Sequence, residues 1–328
     1  MATETSWILV GVDGSHGSDA AVDYAVAEAY RTGAGVRLVH VLPDVARTAG
    51  RYPMAVPMPR FESQRIGHRI LRDAVQRTGD LRHRERVVAE LLTGGRVQAL
   101  VHAAQRAQLV VLGDERHSRL DRVLTGSVLT GVAARSTTSV VAVPNTWHPG
   151  DEHGRVVVAV KDCQASLGLV RRALDLATDR AATLVLLHAW ELPTGYDDMI
   201  FTRVDAAEAA AGARAALQAL VTQVTGDQPA ERCPDVVIRV EHGQPAHVLI
   251  EASESADLLV VARRPHAFPL GHLGATGRAV VREAHCPVEV VPPAAEPAGL
   301  GLVLEADGAI DKGADDELTM AVGPRSIR

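Results

Sequence analysis

Short unbroken apolar runs alternate along the chain with stretches whose apolar residues recur every three or four positions. Residues 7–12, 36–42, 86–92, 109–112 and 139–143 are runs of the first kind and read as buried strands. Residues 18–32 place Ala21, Val22, Ala25, Val26 and Ala29 on one helical stripe, with Ser18 as a candidate N-cap and Gly33 as a stop. Further helices are predicted over 60–78 (Phe61, Ile70, Leu71, Ala74, Val75), 96–106 (Val97, Leu100, Val101, Ala104) and 124–135. Strands alternating with helices predict an α/β fold, a parallel sheet with right-handed crossovers.

The pattern occurs twice. Shifted by 148 residues, Val10 falls on Val158, Val12 on Val160, Ser18 on Ser166, Val22 on Val170 and Ala25 on Ala173. The same shift sets His40 on His188, and 137–144 on 285–292. An ungapped register over such distances points to duplication. The expected organisation is a first domain over 1–147, a second over 154–293, and a turn-rich linker between them. Residues 294–328 have few large apolar residues and no period, and are expected to be a mostly disordered tail. Residues 44–59, with Pro53, Pro57 and Pro59, are long for a connection and are expected to form a mobile lid or an unstructured segment.

Composition narrows the classes. Of 328 residues 47% are hydrophobic but only 3% aromatic, so Val, Leu, Ile and Ala must build the core, as suits strands covered on both faces. A net charge of −6 argues against general nucleic-acid binding. Nearly all positive charge is arginine, because Lys161 and Lys312 are the only lysines. Cys163, Cys233 and Cys286 lie far apart and form no metal-type spacing. No stretch approaches the ~18 apolar residues of a membrane span, so a soluble, cytoplasmic protein is expected.

In an open parallel sheet, ligands bind at the carboxyl ends of strands where the strand order reverses. Two segments leave the first and fourth strands there, GVDGS (11–15) and GDERHSRLDRVLTGSV (113–128). The second leads into a helix start at Gly126 and Ser127, whose free N–H groups favour an anion such as phosphate. Asp13 by itself could equally cap a helix or satisfy a turn, and Gly113 and Gly126 could be ordinary turn residues.

The combination Asp13, Gly113-x2-Arg116-x9-Gly126-Ser127 resembles the nucleotide-binding branch of the universal stress proteins. That family has a Gly-x2-Gly-x9-Gly-Ser/Thr loop after its fourth strand and an Asp after its first. The resemblance covers nearly the whole chain. It implies two tandem doubly wound parallel five-stranded sheets, Rossmann-like and of the adenine nucleotide alpha hydrolase type, with strand order 3-2-1-4-5. It further implies that Val12 and Asp13 meet the adenine end and that the backbone near Val41 borders base or ribose. Leu112, Gly113, Gly126, Ser127 and Val128 would face ribose and phosphates. Arg116 departs from the family glycine. Its side chain either blocks close approach or contacts phosphate.

The second copy has lost more of the pattern. Lys161 stands opposite Asp13 with Asp162 one place late, Ala262 replaces Gly113, and Gly274-Ala275 replaces Gly126-Ser127. The expectation is therefore a universal stress protein that binds ATP or a related adenine nucleotide, with or without Mg, in its first copy and plays a stress-response or regulatory role. The alternative is a nucleotide-free interaction module with no cofactor. No catalysis is expected beyond slow ATP hydrolysis. Implied partners are the other copy, paired through the fifth strands, a second chain in a homodimer, and a regulatory protein.

Overall fold

The computed structural model describes residues 6–43, 60–84, 86–114, 128–191, 203–226, 233–263 and 273–293. The expectations for 44–59 and for 294–328 lie outside these residues.

The first half runs β1 (Trp7–Gly11), α1 (His16–Thr32), β2 (Gly35–Leu42), α2 (Arg60–Arg77), β3 (Val87–Thr93), α3 (Arg96–Ala104), β4 (Leu109–Asp114), α4 (Val128–Arg135) and β5 (Val140–Pro144). The second runs β6 (Arg155–Ala159), α5 (Leu167–Asp179), β7 (Thr183–Trp190), α6 (Arg203–Thr225), β8 (Val236–His242), α7 (Pro245–Ala252), β9 (Leu258–Ala262), α8 (Ala275–Glu283) and β10 (Val288–Val291). The central apolar runs became strands because they are buried on both faces, whereas the run expected as a buried strand at 86–92 forms the half-exposed edge strand β3, as does its counterpart β8 at the other edge. Ile8, Leu9 and Val10 of β1 are fully sealed from solvent.

The strands form one sheet in the order β3-β2-β1-β4-β5-β10-β9-β6-β7-β8. Each half keeps the order 3-2-1-4-5. All neighbours are parallel except β5 and β10, which pair antiparallel with Val288 opposite Ala142 and Val290 opposite Val140. The two expected five-stranded sheets are present and join through their fifth strands, β5 and β10, into one ten-stranded sheet. β5 is buried along its whole length, and as a free edge it would expose both its apolar face and its unpaired backbone groups.

The two faces of this sheet are built differently. On one, a continuous core crosses the junction, with Val140, Ala142 and Ala133 of the first half packed with Val288, Val290 and Leu259 of the second. On the other, each half has its own cluster, beneath α1 and α2 in one and beneath α5 and α6 in the other. A polar group fills the gap between those clusters. Arg180 donates to Glu28 and, at 3.2 Å, to the Tyr24 hydroxyl, and Arg172 donates to Glu289 at 3.0 Å. The Tyr24 ring meets Trp147 edge-on at 5.3 Å between centroids.

Helix α1 starts earlier than the sequence suggests. Its N-cap is Ser15, whose Oγ accepts from the Ser18 N–H at 3.2 Å; Ser18 lies in the first turn and donates back to the Ser15 carbonyl. Gly33 ends the helix in the left-handed conformation at φ 73°, as its position predicts.

Candidate functional site

In the first half β1 lies between β2 and β4, so the chain leaves β1 at the place where the strand order reverses. Val12 extends the ladder one step beyond β1, donating its N–H to the Val39 carbonyl at 2.9 Å. Its own carbonyl accepts from His40 Nδ1 at 2.7 Å. A carbonyl cannot donate, so this contact fixes the proton of His40 on Nδ1. His188 makes the same bond to the Val160 carbonyl at 2.8 Å. The histidine that ends the second strand of each half is therefore a structural clamp on the end of the first.

Asp13 is exposed at this edge, and its position is held. Its Oδ1 accepts from the Ser15 N–H at 3.1 Å and from the Ser15 hydroxyl at 2.6 Å. The turn requires Gly14 at φ +84°, a conformation that side chains rarely adopt. Ser15 thus positions Asp13 and caps α1 with one hydroxyl. Sequence reading passed over Ser15; the signal was the Asp-Gly-Ser turn directly before an apolar stripe.

Val12, Val41 and Leu112 are buried, with their side chains in the cores. Only their backbone can meet a ligand. Gly113 sits at the end of β4 against α1. A Cβ there would lie 2.0 Å from the Gly17 oxygen and 2.7 Å from the Ser18 nitrogen. Packing alone therefore demands glycine at 113. Val128, half-buried against the continuous core, opens α4. Val12, Asp13, Val41, Leu112 and Gly113 all fall within two residues of the carboxyl ends of β1, β2 and β4, and so on one edge. Arg116, Gly126 and Ser127 lie outside the described residues. A groove of about 250 Å³ opens beside this edge between α1 and α2, lined by Val12, Gly14, Val22, Ile66, Arg69 and Ile70.

The second half keeps the histidine clamp but differs in the turn that follows β6. Lys161 holds the place of Asp13, but Asp162 accepts from the Gln164 N–H at 2.9 Å, so the turn-forming carboxylate has moved one residue along. The first turn that follows is 3-10 (Gln164–Ser166), and the α-helix begins at Leu167. Arg263, which follows β9, donates to the Ala133 carbonyl at 3.1 Å and the Ser136 carbonyl at 2.6 Å, both in the first half.

A larger cleft of about 310 Å³ lies by the linker, lined among others by Trp147, His153, Asp257, His285 and Cys286. It flanks the amino ends of β9 and β10, away from the strand switch. Asp257 is already committed there, accepting from the backbone N–H groups of His153 and Arg155. Burial pushes the Cys286 thiol up to about 12, so it is no nucleophile at neutral pH. Among the described residues no group of three His, Cys, Asp or Glu side chains could hold a metal ion, and no helix is long and apolar enough to cross a membrane.

Comparison with known proteins agrees with this architecture. A universal stress protein of Mycolicibacterium smegmatis is 32% identical over 296 residues, covering 87% of this chain and 97% of the relative. Universal stress protein Rv2005c of Mycobacterium tuberculosis is 30% identical, covering 86% and 96%. The crystal structure of a universal stress protein from Archaeoglobus fulgidus superposes with a TM-score of 0.63 at 17% identity, covering 88% of this chain and 96% of that one. The pattern of the universal stress protein family matches twice, over residues 6–144 and 152–292, and the chain belongs to that family as a tandem of two such units.

Proposed function

We propose that the first half binds ATP or a related adenine nucleotide at the carboxyl edge of β1, β2 and β4, and that occupancy of this site serves a stress-response or regulatory role. The observation that carries the reading is the Asp13 carboxylate, fixed by Ser15 at the strand switch. Oδ1 is engaged by Ser15, and among the described residues Oδ2 has no partner; it can accept from the exocyclic amine of adenine or from a ribose hydroxyl. Val41 and Leu112 offer backbone to base and ribose, and Gly113 and Val128 border the path toward the phosphates. Arg116, Gly126 and Ser127 complete the site in this reading. Mg, if present, would be held through the phosphates, because the described side chains offer no ligand set for it. The second half serves as partner of the first through β5 and β10.

A second reading is a nucleotide-free interaction module, in which both loops are scaffold. Gly113 favours it, because its contact with Gly17 explains that glycine without any ligand. Titration calorimetry of nucleotide-stripped protein with Mg-ATP separates the two. Saturation at about one site per chain supports the first reading. No saturation at millimolar ATP, where binding is worth only about 4 kcal/mol, supports the second. Arg116→Gly restores the family pattern: tighter binding identifies Arg116 as an obstruction, and weaker binding as a phosphate contact.

A further inference from the structure

The strands of the β5–β10 junction do little to tell one half from the other. On the face of the continuous core, Val140 and Ala142 pack with Val288 and Val290, and the 148-residue shift sets Val140 on Val288 and Ala142 on Val290. Small apolar side chains of this kind meet almost equally well whichever halves are joined. The opposite face carries charge. There Arg180, at the end of α5, donates to Glu28 and to the Tyr24 hydroxyl of α1 across the junction. Arg31 reaches the same Glu28 at 2.6 Å from within α1, and Arg172 holds Glu289 at 3.0 Å within the second half. Glu28 and Glu289 are buried, and the Arg180 side chain is only 9% exposed. Burial alone would lower the proton affinity of Arg180, but Tyr24, Glu28 and Glu289 around it raise that affinity above the ordinary arginine value.

This charged group is not repeated. The same shift sets Tyr24 on Arg172, Glu28 on Leu176, Thr32 on Arg180 and Val141 on Glu289. Carrying the observed docking over to like halves therefore changes its chemistry. Two first halves put Thr32 where Arg180 stands, and each buried Glu28 loses its partner across the junction. Two second halves put Glu289 against Glu289, because Val141 and Glu289 are direct partners in the pair. They also set Arg180 against Leu176 and Arg172. A buried carboxylate deprived of its cation, or set against another carboxylate, is strongly destabilising. Only unlike halves balance these carboxylates with guanidinium groups.

We propose that the buried charges around Arg180 select the partner at this junction: the α1–β5 surface of a first half accepts a second half, of its own chain or of a second copy, and refuses another first half. A buried ion pair adds little net stability over an apolar contact of similar size, whereas its breakage is costly, so it acts by choosing among partners. The like-half pairings that duplication would otherwise allow, and that would link one chain to the next, are closed off. The inference stands on the junction alone and holds with or without a nucleotide.

The test uses the full chain. Glu28→Arg sets a cation against Arg180, and Arg180→Glu sets a carboxylate against Glu28. Each is expected to lower the urea midpoint by about 1 M. Mixed in urea and refolded together, the two variants complement each other, because the first half of each chain fits the second half of the other. The expected result is a reciprocal two-chain complex. Its midpoint recovers most of the loss and rises with protein concentration, and native mass spectrometry finds unlike-chain dimers in about tenfold excess over dimers of either variant with itself. Both substitutions in one chain should recover the midpoint without the partner chain. A mixture that unfolds as the sum of its components, with no excess of unlike-chain dimers, overturns the proposal. So does a double variant no more stable than the single ones. Should the single variants fail to refold alone, the mixture and the double variant still decide: recovery in both supports the selection, and its absence overturns it.

Discussion

Val141 and Glu289 occupy the same position in the two repeats and face each other as partners across the antiparallel β5–β10 pair. The pseudo-twofold relating the halves passes between them. A symmetric pair would be valine on valine; here one member is a carboxylate, 1% exposed. Arg172, the counterpart of Tyr24 in the repeat, reaches it from α5 at 3.0 Å while 39% exposed. The asymmetry predicts unequal costs. Arg172→Ala strands a buried charge, and should destabilise by about 3 kcal/mol, the low end for a broken buried pair, because Arg180 remains nearby. Glu289→Val leaves an arginine that can turn to solvent and restores apolar symmetry, and should be neutral or stabilising. Urea denaturation of both variants measures this. A larger loss from Glu289→Val than from Arg172→Ala would reverse the assignment.

Gly113→Ala should be among the most damaging single-methyl changes in the chain. The added carbon would sit 2.0 Å from the Gly17 carbonyl oxygen, a backbone atom that moves only if α1 lifts from β4. The expected loss is about 3 kcal/mol, the upper part of the range for overpacking. The reverse change at the matching position, Ala262→Gly, removes only an exposed methyl, and should cost about 0.5–1 kcal/mol through backbone entropy. Equal denaturation midpoints for wild type and Gly113→Ala would show that the strand end is not packed as described.

The strands and the duplication were legible because they rest on burial, which writes itself into local apolar runs such as Ile8 to Val10 and Val156 to Val158, whereas the strand order came only from the family resemblance. The start of α1 was misplaced by three residues because Ser15 and Ser18 are both good caps, and only the geometry of Gly14 decides between them. Arg263 was beyond sequence reading for another reason. Its partners are main-chain carbonyls 130 and 127 positions away, and a carbonyl carries no mark in the sequence. The reason for Gly113 was hidden similarly, since a motif shows that glycine is present and not which backbone passes over it. The shift from Asp13 to Asp162 was visible as a misalignment, but its meaning, a turn rebuilt one residue later, needed the Gln164 hydrogen bond.

Asp13 and Lys161 occupy equivalent places with opposite charge, which makes them a matched test of the one-site reading. Asp13→Ala should weaken adenine nucleotide binding about tenfold or more, as loss of a hydrogen bond from a charged acceptor does. Stability should fall by only about 1 kcal/mol, because Ser15 still caps the Ser18 N–H. Lys161→Ala should change neither. Asp162→Ala, which removes the Gln164 contact, should match Asp13→Ala in stability and leave the ligand unaffected. Calorimetric titration of all three decides; similar losses of affinity in the Asp13 and Lys161 variants would sink the assignment of one site to the first half.

The scarcity of lysine opens an unusually clear alkaline window. Most proteins carry many lysine amines that complicate alkaline titration, but this chain has only two lysines, Lys161 and Lys312. Burial pushes the Cys286 thiol up to about 12, with the Asp257 carboxylate adding to the shift. Burial raises Tyr24 in the same direction, with Glu28 adding to it. Cys163 is raised as well, by burial first and then by the Asp162 carboxylate. In the unfolded chain Cys286 loses its proton in the ordinary thiol range, while in the folded chain it keeps it. The folded state therefore holds more protons, and stability must fall as pH rises toward the folded value. For Cys286 alone the loss between pH 8 and pH 10 is about 1.5 kcal/mol. Cys286→Ala should start less stable at pH 8, because it leaves a small void, yet lose about 1.5 kcal/mol less on going to pH 10. Urea titrations of both proteins at the two pH values read out the difference in slope. Identical slopes would mean that the Cys286 site admits water and that the thiol ionises as freely folded as unfolded, which would also place the cleft beside it in contact with solvent through its full depth.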